Sequence, residues 1–172
     1  MPLRATVVIP TEFREVVASA TTIVRGRVTD VRAVLAQRNL IETIGTVAVD
    51  AVLKGPSASF VYVRVQGGEI GRDRHVAVGA PQLTVGEQAV FFLRRGSDNT
   101  MRPVGLTMGV YRVKAETGTG RPVIDPPLLA GQTASVGTVV RGDARRKPMA
   151  VQEFESLVRL VMAAQASAGG GR

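Results

Sequence analysis

A chain of 172 residues, 45% hydrophobic and 21% charged, suits one domain with a single core and excludes a disordered polymer. Its formal charge of +8 comes mostly from arginine, with Lys54, Lys114 and Lys147 as the lysines, a bias that coding composition produces as easily as function does. With no cysteine, disulfides, thiolate metal sites and a cysteine nucleophile are excluded, and no apolar run reaches the roughly 18 residues of a membrane-spanning helix.

The opening residues 1–10 lack the long apolar core of a secretion signal. Two expectations follow: a cytoplasmic protein, or one whose signal was removed and a Met added. Thr11 is placed to cap a short helix in which Phe13, Val16, Val17 and Ala20 recur at helical spacing, with Glu12 and Glu15 near its positive end. Residues 22–33 and 41–53 read as two long strands joined by a turn at Gln37, Arg38 and Asn39. Gly26 and Gly45 interrupt them, and glycines inside strands mark the bends that curl a sheet into a barrel.

Lys54, Gly55 and Pro56 end the second strand. Residues 60–66 alternate as a third, with Val61, Val63 and Val65 on the core face and Phe60, Tyr62, Arg64 and Gln66 on the other. A glycine-rich loop at 67–71 suits a turn with positive φ. A short strand around 76–78 and a turn at 85–87 precede the strongest strand, 88–94. Its Ala89, Val90, Phe91, Phe92 and Leu93 are apolar on both faces, which predicts cover by a helix or a second layer.

Residues 104–114 read as a further strand bent at Gly105 and Gly109, with weaker strands at 122–124 and 135–141 separated by the segment 126–129. Pro148 suits a first helical turn. The helix it opens carries Val151, Phe154, Leu157, Val158, Val161 and Met162 on one face, to be packed across the barrel. The predicted fold is mainly β: an OB-like closed or partly open β-barrel with a short N-terminal helix and a longer C-terminal one. It occupies residues 1–165, followed by a flexible, glycine-rich tail at 166–172.

Charge is balanced over residues 41–100, and much of the late basic excess is Arg141, Arg145, Arg146 and Lys147 beside Asp143, a solvated approach to the last helix or an anionic docking patch. Catalytic signatures are scarce. His75 is the one histidine, has Asp73 two residues away, and is flanked by arginines. No GxSxG elbow accompanies any serine, Ser135 included, so a hydrolase built on His75 is the third-ranked reading and a polar strand-edge role ranks above it. One histidine with scattered acids supplies no zinc site, and Glu69 and Asp73 lack the DxDxDG pattern of a calcium loop. The 67–71 loop lacks the Lys-Ser/Thr of a phosphate cradle. Glu153 and Glu155 lie two apart on the last helix, so they point to different sides and favour its dipole. The expectation is a non-enzymatic protein with no catalytic, cofactor or metal residues.

The segments 21–31, 51–55, 67–71, 85–93 and 105–113 together resemble a little-characterised bacterial domain that a secretion signal typically precedes, over about residues 6–113. More distantly, the order of a VxGxV strand, a strand closed by VLKG and a GE-plus-FL strand is similar to the OB-like barrels of netrin-type modules and tissue inhibitors of metalloproteinases. The resemblance implies a secreted or envelope-associated, non-catalytic binding domain, and carries over no functional residue. Those inhibitors place an N-terminal cysteine in the enzyme's zinc site, and a chain without cysteine excludes that mechanism.

Two candidate surfaces remain. The 67–75 loop, with Glu69, Arg72, Arg74 and His75, is the expected contact with a protein or polymer partner, since long loops on rigid barrels concentrate binding. The alternative is single-stranded nucleic acid on Phe60, Tyr62 and Arg64, because exposed aromatics and arginine on a barrel strand stack bases and hold phosphates. Against the alternative stand the neutral middle of the chain, the scarcity of lysine, and Phe91 and Phe92 committed to core. The competing expectation for Phe60 and Tyr62 is burial beneath the N-terminal helix or a long loop.

Overall fold

In a computed structural model, which describes residues 13–97, 100–125, 127 and 149–169, the two longest strands are β1 (Thr22–Leu35) and β2 (Ile41–Lys54). They pair antiparallel through a 3₁₀ turn, Gln37–Asn39, at the positions the sequence marks as a turn. Their register slips between Ile23 and Val24, Arg25 and Gly26, and Val28 and Asp30. At the second slip a Cβ on Gly26 would lie 2.3 Å from the carbonyl oxygen of Ala48, so only glycine permits this approach.

The slips coil β1 enough for its first half to pair with a second partner, β6 (Gln88–Arg95), from Thr22 opposite Leu93 to Arg27 opposite Gln88. The ring is completed by β3 (Phe60–Gln66), antiparallel to β2, and β7 (Met101–Pro103), which pairs parallel with β3 at Val63 and Met101 and antiparallel with β6. The result is a closed five-stranded barrel in the order β1-β2-β3-β7-β6. Outside it, β8 (Val110–Ala115), β9 (Pro122–Asp125) and β10 (Met149–Ala150) extend the sheet from β6, while β4 (Gly68–Ile70) and β5 (Asp73–His75) form a separate hairpin.

Side-chain alternation along β6 divides the core in two. Ala89, Phe91 and Leu93 point into the barrel with Val24, Val28, Val47, Val61, Val63, Val65 and Val110. Val90 and Phe92 point outward, beneath helices α1 (Phe13–Ser19) and α2 (Val151–Gly169). This is why the strand is apolar on both faces. Phe13, Phe92, Tyr111 and Phe154 form one aromatic cluster with centroids 5.0 to 6.2 Å apart. Val151, Phe154 and Val158 of α2 are buried on it, with Leu157, Val161 and Met162 at its margin, the face expected from the sequence. Lys54 Nζ donates to the Val17 carbonyl at 2.9 Å, neutralising the end of α1.

Several expectations change. Residues 76–78 form no strand, because Val76 and Val78 lie exposed on a loop that meets no sheet edge. The strand expected at 104–114 is interrupted by a 3₁₀ turn at Leu106–Gly109, so that β7 closes the barrel and β8 leaves it. Helix α2 runs to Gly169, four residues into the expected tail. Phe60 and Tyr62 are not covered by α1 or a loop: they are 57% and 55% exposed. Thr11, Glu12, Ser135, the strand at 135–141, the basic cluster at 141–147 and Pro148 lie outside the described residues.

Candidate functional site

The barrel wall exposes one ordered face, set by strand pairing. Since β3 alternates, Val61, Val63 and Val65 fill the interior and Phe60, Tyr62, Arg64 and Gln66 point out. Each outward residue has cross-strand neighbours on β2 and β1. Phe60 stands opposite Ala48, itself opposite Arg27; Tyr62 opposite Thr46 and then Asp30; Arg64 opposite Ile44 and then Arg32. Small partners at Ala48 and Thr46 leave both rings open to solvent.

Arg64 is held rather than free. Its Nε lies 2.6 Å from Glu42 Oε2, and Arg102 of β7 donates to the same carboxylate through Nη1 at 3.0 Å and Nη2 at 3.4 Å. Glu42 is 12% exposed in its side chain, so one partly buried carboxylate orients two guanidiniums and leaves a net positive charge. Arg102 in turn faces the exposed Arg94 across the β6–β7 pair. A belt of arginines, Arg32, Arg64, Arg102 and Arg94, therefore crosses the outer wall beside the two rings.

At the end of β3 the face meets the hairpin. Gly67 and Gly68 take φ of 91° and 148°, as the glycine-rich segment predicts. Glu69 stands opposite Arg74 and Gly68 opposite His75, with Arg72 exposed in the turn. The His75 Nδ1 accepts the Ile41 N–H at 2.8 Å, placing the ring proton on Nε2 and fastening the hairpin to the start of β2. Thr43 adds a hydrogen bond from its hydroxyl to the Gly67 carbonyl at 2.7 Å. With Nδ1 engaged by backbone rather than by Asp73, His75 has no triad geometry here.

Two cavities flank the hairpin. One of about 350 Å³ is lined by Leu40, Glu42, Gln66, Arg74, His75 and Val76, among others; another of about 280 Å³ lies toward Thr43, Glu69 and Leu83. Gln66 and Glu42 thus belong both to the outer face of the barrel and to the hairpin cavity. The two candidate sites of the sequence are one continuous surface. Sequence reasoning missed Glu42, Arg102, Arg94 and Arg32, whose only signal is strand register. It also assigned Glu155 to the helix dipole, whereas Glu155 ties α2 to β1 through Arg25 at 2.8 Å and pairs with Arg159.

Among the described residues no three His, Asp or Glu side chains gather in a metal-binding group, and no helix is long and apolar enough to cross a membrane. Compared with known proteins, the chain matches no protein-family model and no curated sequence.

Proposed function

We propose that this protein is a non-enzymatic, extracytoplasmic binding module that holds an extended segment of a protein or polymer along β3 and the β4–β5 hairpin. The observation that carries the reading is the exposure of Phe60 and Tyr62 on a rigid strand in line, through Gln66, with the cavity of Arg74 and His75. From Phe60 to Gln66 the strand offers roughly 20 Å of contact, suited to a chain rather than a small molecule. We read the closed five-stranded ring as OB-like, and barrels of that type use the face of their second and third strands for ligands. The extracytoplasmic setting rests on the resemblance of segments 21–31 through 105–113 to a bacterial domain that follows secretion signals.

Photo-cross-linking in the producing cell tests this. A benzoylphenylalanine replacing Phe60 or Arg72 should give discrete adducts, and one replacing Leu160, exposed on α2, should not. Adducts equally abundant from all three positions, or none from the first two, would overturn the reading. Within the hairpin, a joint Glu69→Ala, Arg72→Ala and Arg74→Ala variant should lose the Phe60 adduct while keeping its circular dichroism.

A further inference from the structure

We infer that the ligand of this face is a single-stranded nucleic acid, its bases stacked on Phe60 and Tyr62 and its phosphates held along Arg32, Arg64, Arg102 and Arg94. The inference rests on the proposal that this face is the binding surface and adds the chemistry of the occupant. Two independent features point the same way. Alternate residues of one strand stand about 7 Å apart, so each ring can take one base, and the small neighbours Ala48 and Thr46 leave room above them.

The second feature is charge. Arg27, Arg32, Arg64, Arg94 and Arg102 share the wall with the acids Asp30, Glu42 and Asp50, and Glu42 already serves as the anchor that fixes Arg64 and Arg102. Arg94 and Arg102 stand directly opposite each other, a like-charge pair that an anion between them would stabilise. An uncharged glycan could stack on the rings and would leave the belt unexplained. A duplex would satisfy the belt and hide its base faces from the rings. An unpaired strand uses both.

Fluorescence anisotropy with a labelled oligothymidylate and an oligouridylate, at 50 and 200 mM salt, tests the inference. Three to four phosphate contacts give a log–log salt slope of about −2.1 to −2.8, hence roughly 20- to 50-fold weaker binding at the higher salt. Tyr62→Ala should weaken binding at least about fivefold, Arg94→Gln should flatten the slope by about 0.7, and Leu160→Ser should change neither. Binding indifferent to Tyr62 and displaced equally by dextran sulfate would overturn the inference, as would tighter binding to duplex or no binding at all. Cross-links from Phe60 in the cell together with no oligonucleotide affinity would overturn the nucleic acid and leave the binding face standing. Absence of both would remove the face as well.

Discussion

Replacing Glu42 by Gln should lower stability and raise polyanion affinity at once. Glutamine keeps the shape and one acceptor oxygen, but removes the ion pair with Arg64 and turns the charge-assisted hydrogen bonds from Arg102 into neutral ones. A charge-assisted hydrogen bond is worth about 1 kcal/mol more than a neutral one, so the two from Arg102, with the Arg64 ion pair beside them, suggest about 2 kcal/mol. Arg102 is 36% exposed, and solvent screening of its share lowers the figure to about 1.5 kcal/mol. For a chain of this size that is a fall in Tm of roughly 3 to 6 °C, and urea unfolding should show a lower midpoint with unchanged slope. The same substitution adds one positive charge to the face. Oligonucleotide binding at 50 mM salt should tighten and its salt slope steepen by about 0.7. Unchanged stability would mean that the clamp does not form in solution; weaker binding by a folded variant would mean that Glu42 acts otherwise than as an internal counter-ion.

Phe154→Ala removes a 2% exposed ring from the aromatic cluster and should cost about 3 to 5 kcal/mol with loss of near-ultraviolet dichroism; a cost below about 1 kcal/mol would show that α2 is not docked. Gly26→Ala drives a Cβ against the Ala48 carbonyl and should cost about 2 kcal/mol or more, whereas Gly71→Ala, with open space but φ of 62°, should cost about 1 kcal/mol; equal melting temperatures would contradict the bend. His75→Phe removes the acceptor of the Ile41 amide, and hydrogen exchange at Ile41 should accelerate, an unchanged rate being the contrary result. The Glu116 carboxyl is held below its ordinary 4.5 first by the Thr119 hydroxyl and then by Arg121. Because its folded value is lowered, it stabilises the 116–121 turn above the unfolded value and that contribution is lost as pH falls through the folded one. Carbon-detected NMR titration should give a midpoint below 4.5 that rises in Thr119→Val.

What the sequence shows well is what short periods encode. Alternation gave the valine face of β3, two-sided apolarity gave the cover over β6, and the 3.6-residue recurrence from Val151 to Met162 gave the docked face of α2. Local signals also misled. Val76 and Val78 have strand propensity but no edge to pair with, and Val104 through Lys114 looks continuous because nothing in the residues announces the 3₁₀ turn at Leu106–Gly109, which interrupts the strand while the chain keeps its direction along β6. The three-residue β7 is too short to show a period, although it closes the barrel. The face itself was half visible: Phe60, Tyr62 and Arg64 lie within five residues, but Arg32, Glu42, Arg94 and Arg102 join them only through pairings separated by up to 60 positions.

The two exposed rings bear on whether that face was shaped by folding or by binding. Five of the seven aromatics, Phe13, Phe91, Phe92, Tyr111 and Phe154, are buried, and only Phe60 and Tyr62 stand in water. A core aromatic contributes about 1.5 to 3 kcal/mol through burial; rings this exposed, above Ala48 and Thr46, forgo most of it. Phe60→Ala and Tyr62→Ala should therefore each change stability by no more than about 0.5 kcal/mol, while reducing ligand affinity severalfold. That separation distinguishes a binding surface from a packing one, because a ring retained for stability must cost stability when removed. A loss above about 1.5 kcal/mol in either variant would show that the rings are packed in solution, and the stacking role argued for them would fall with that result.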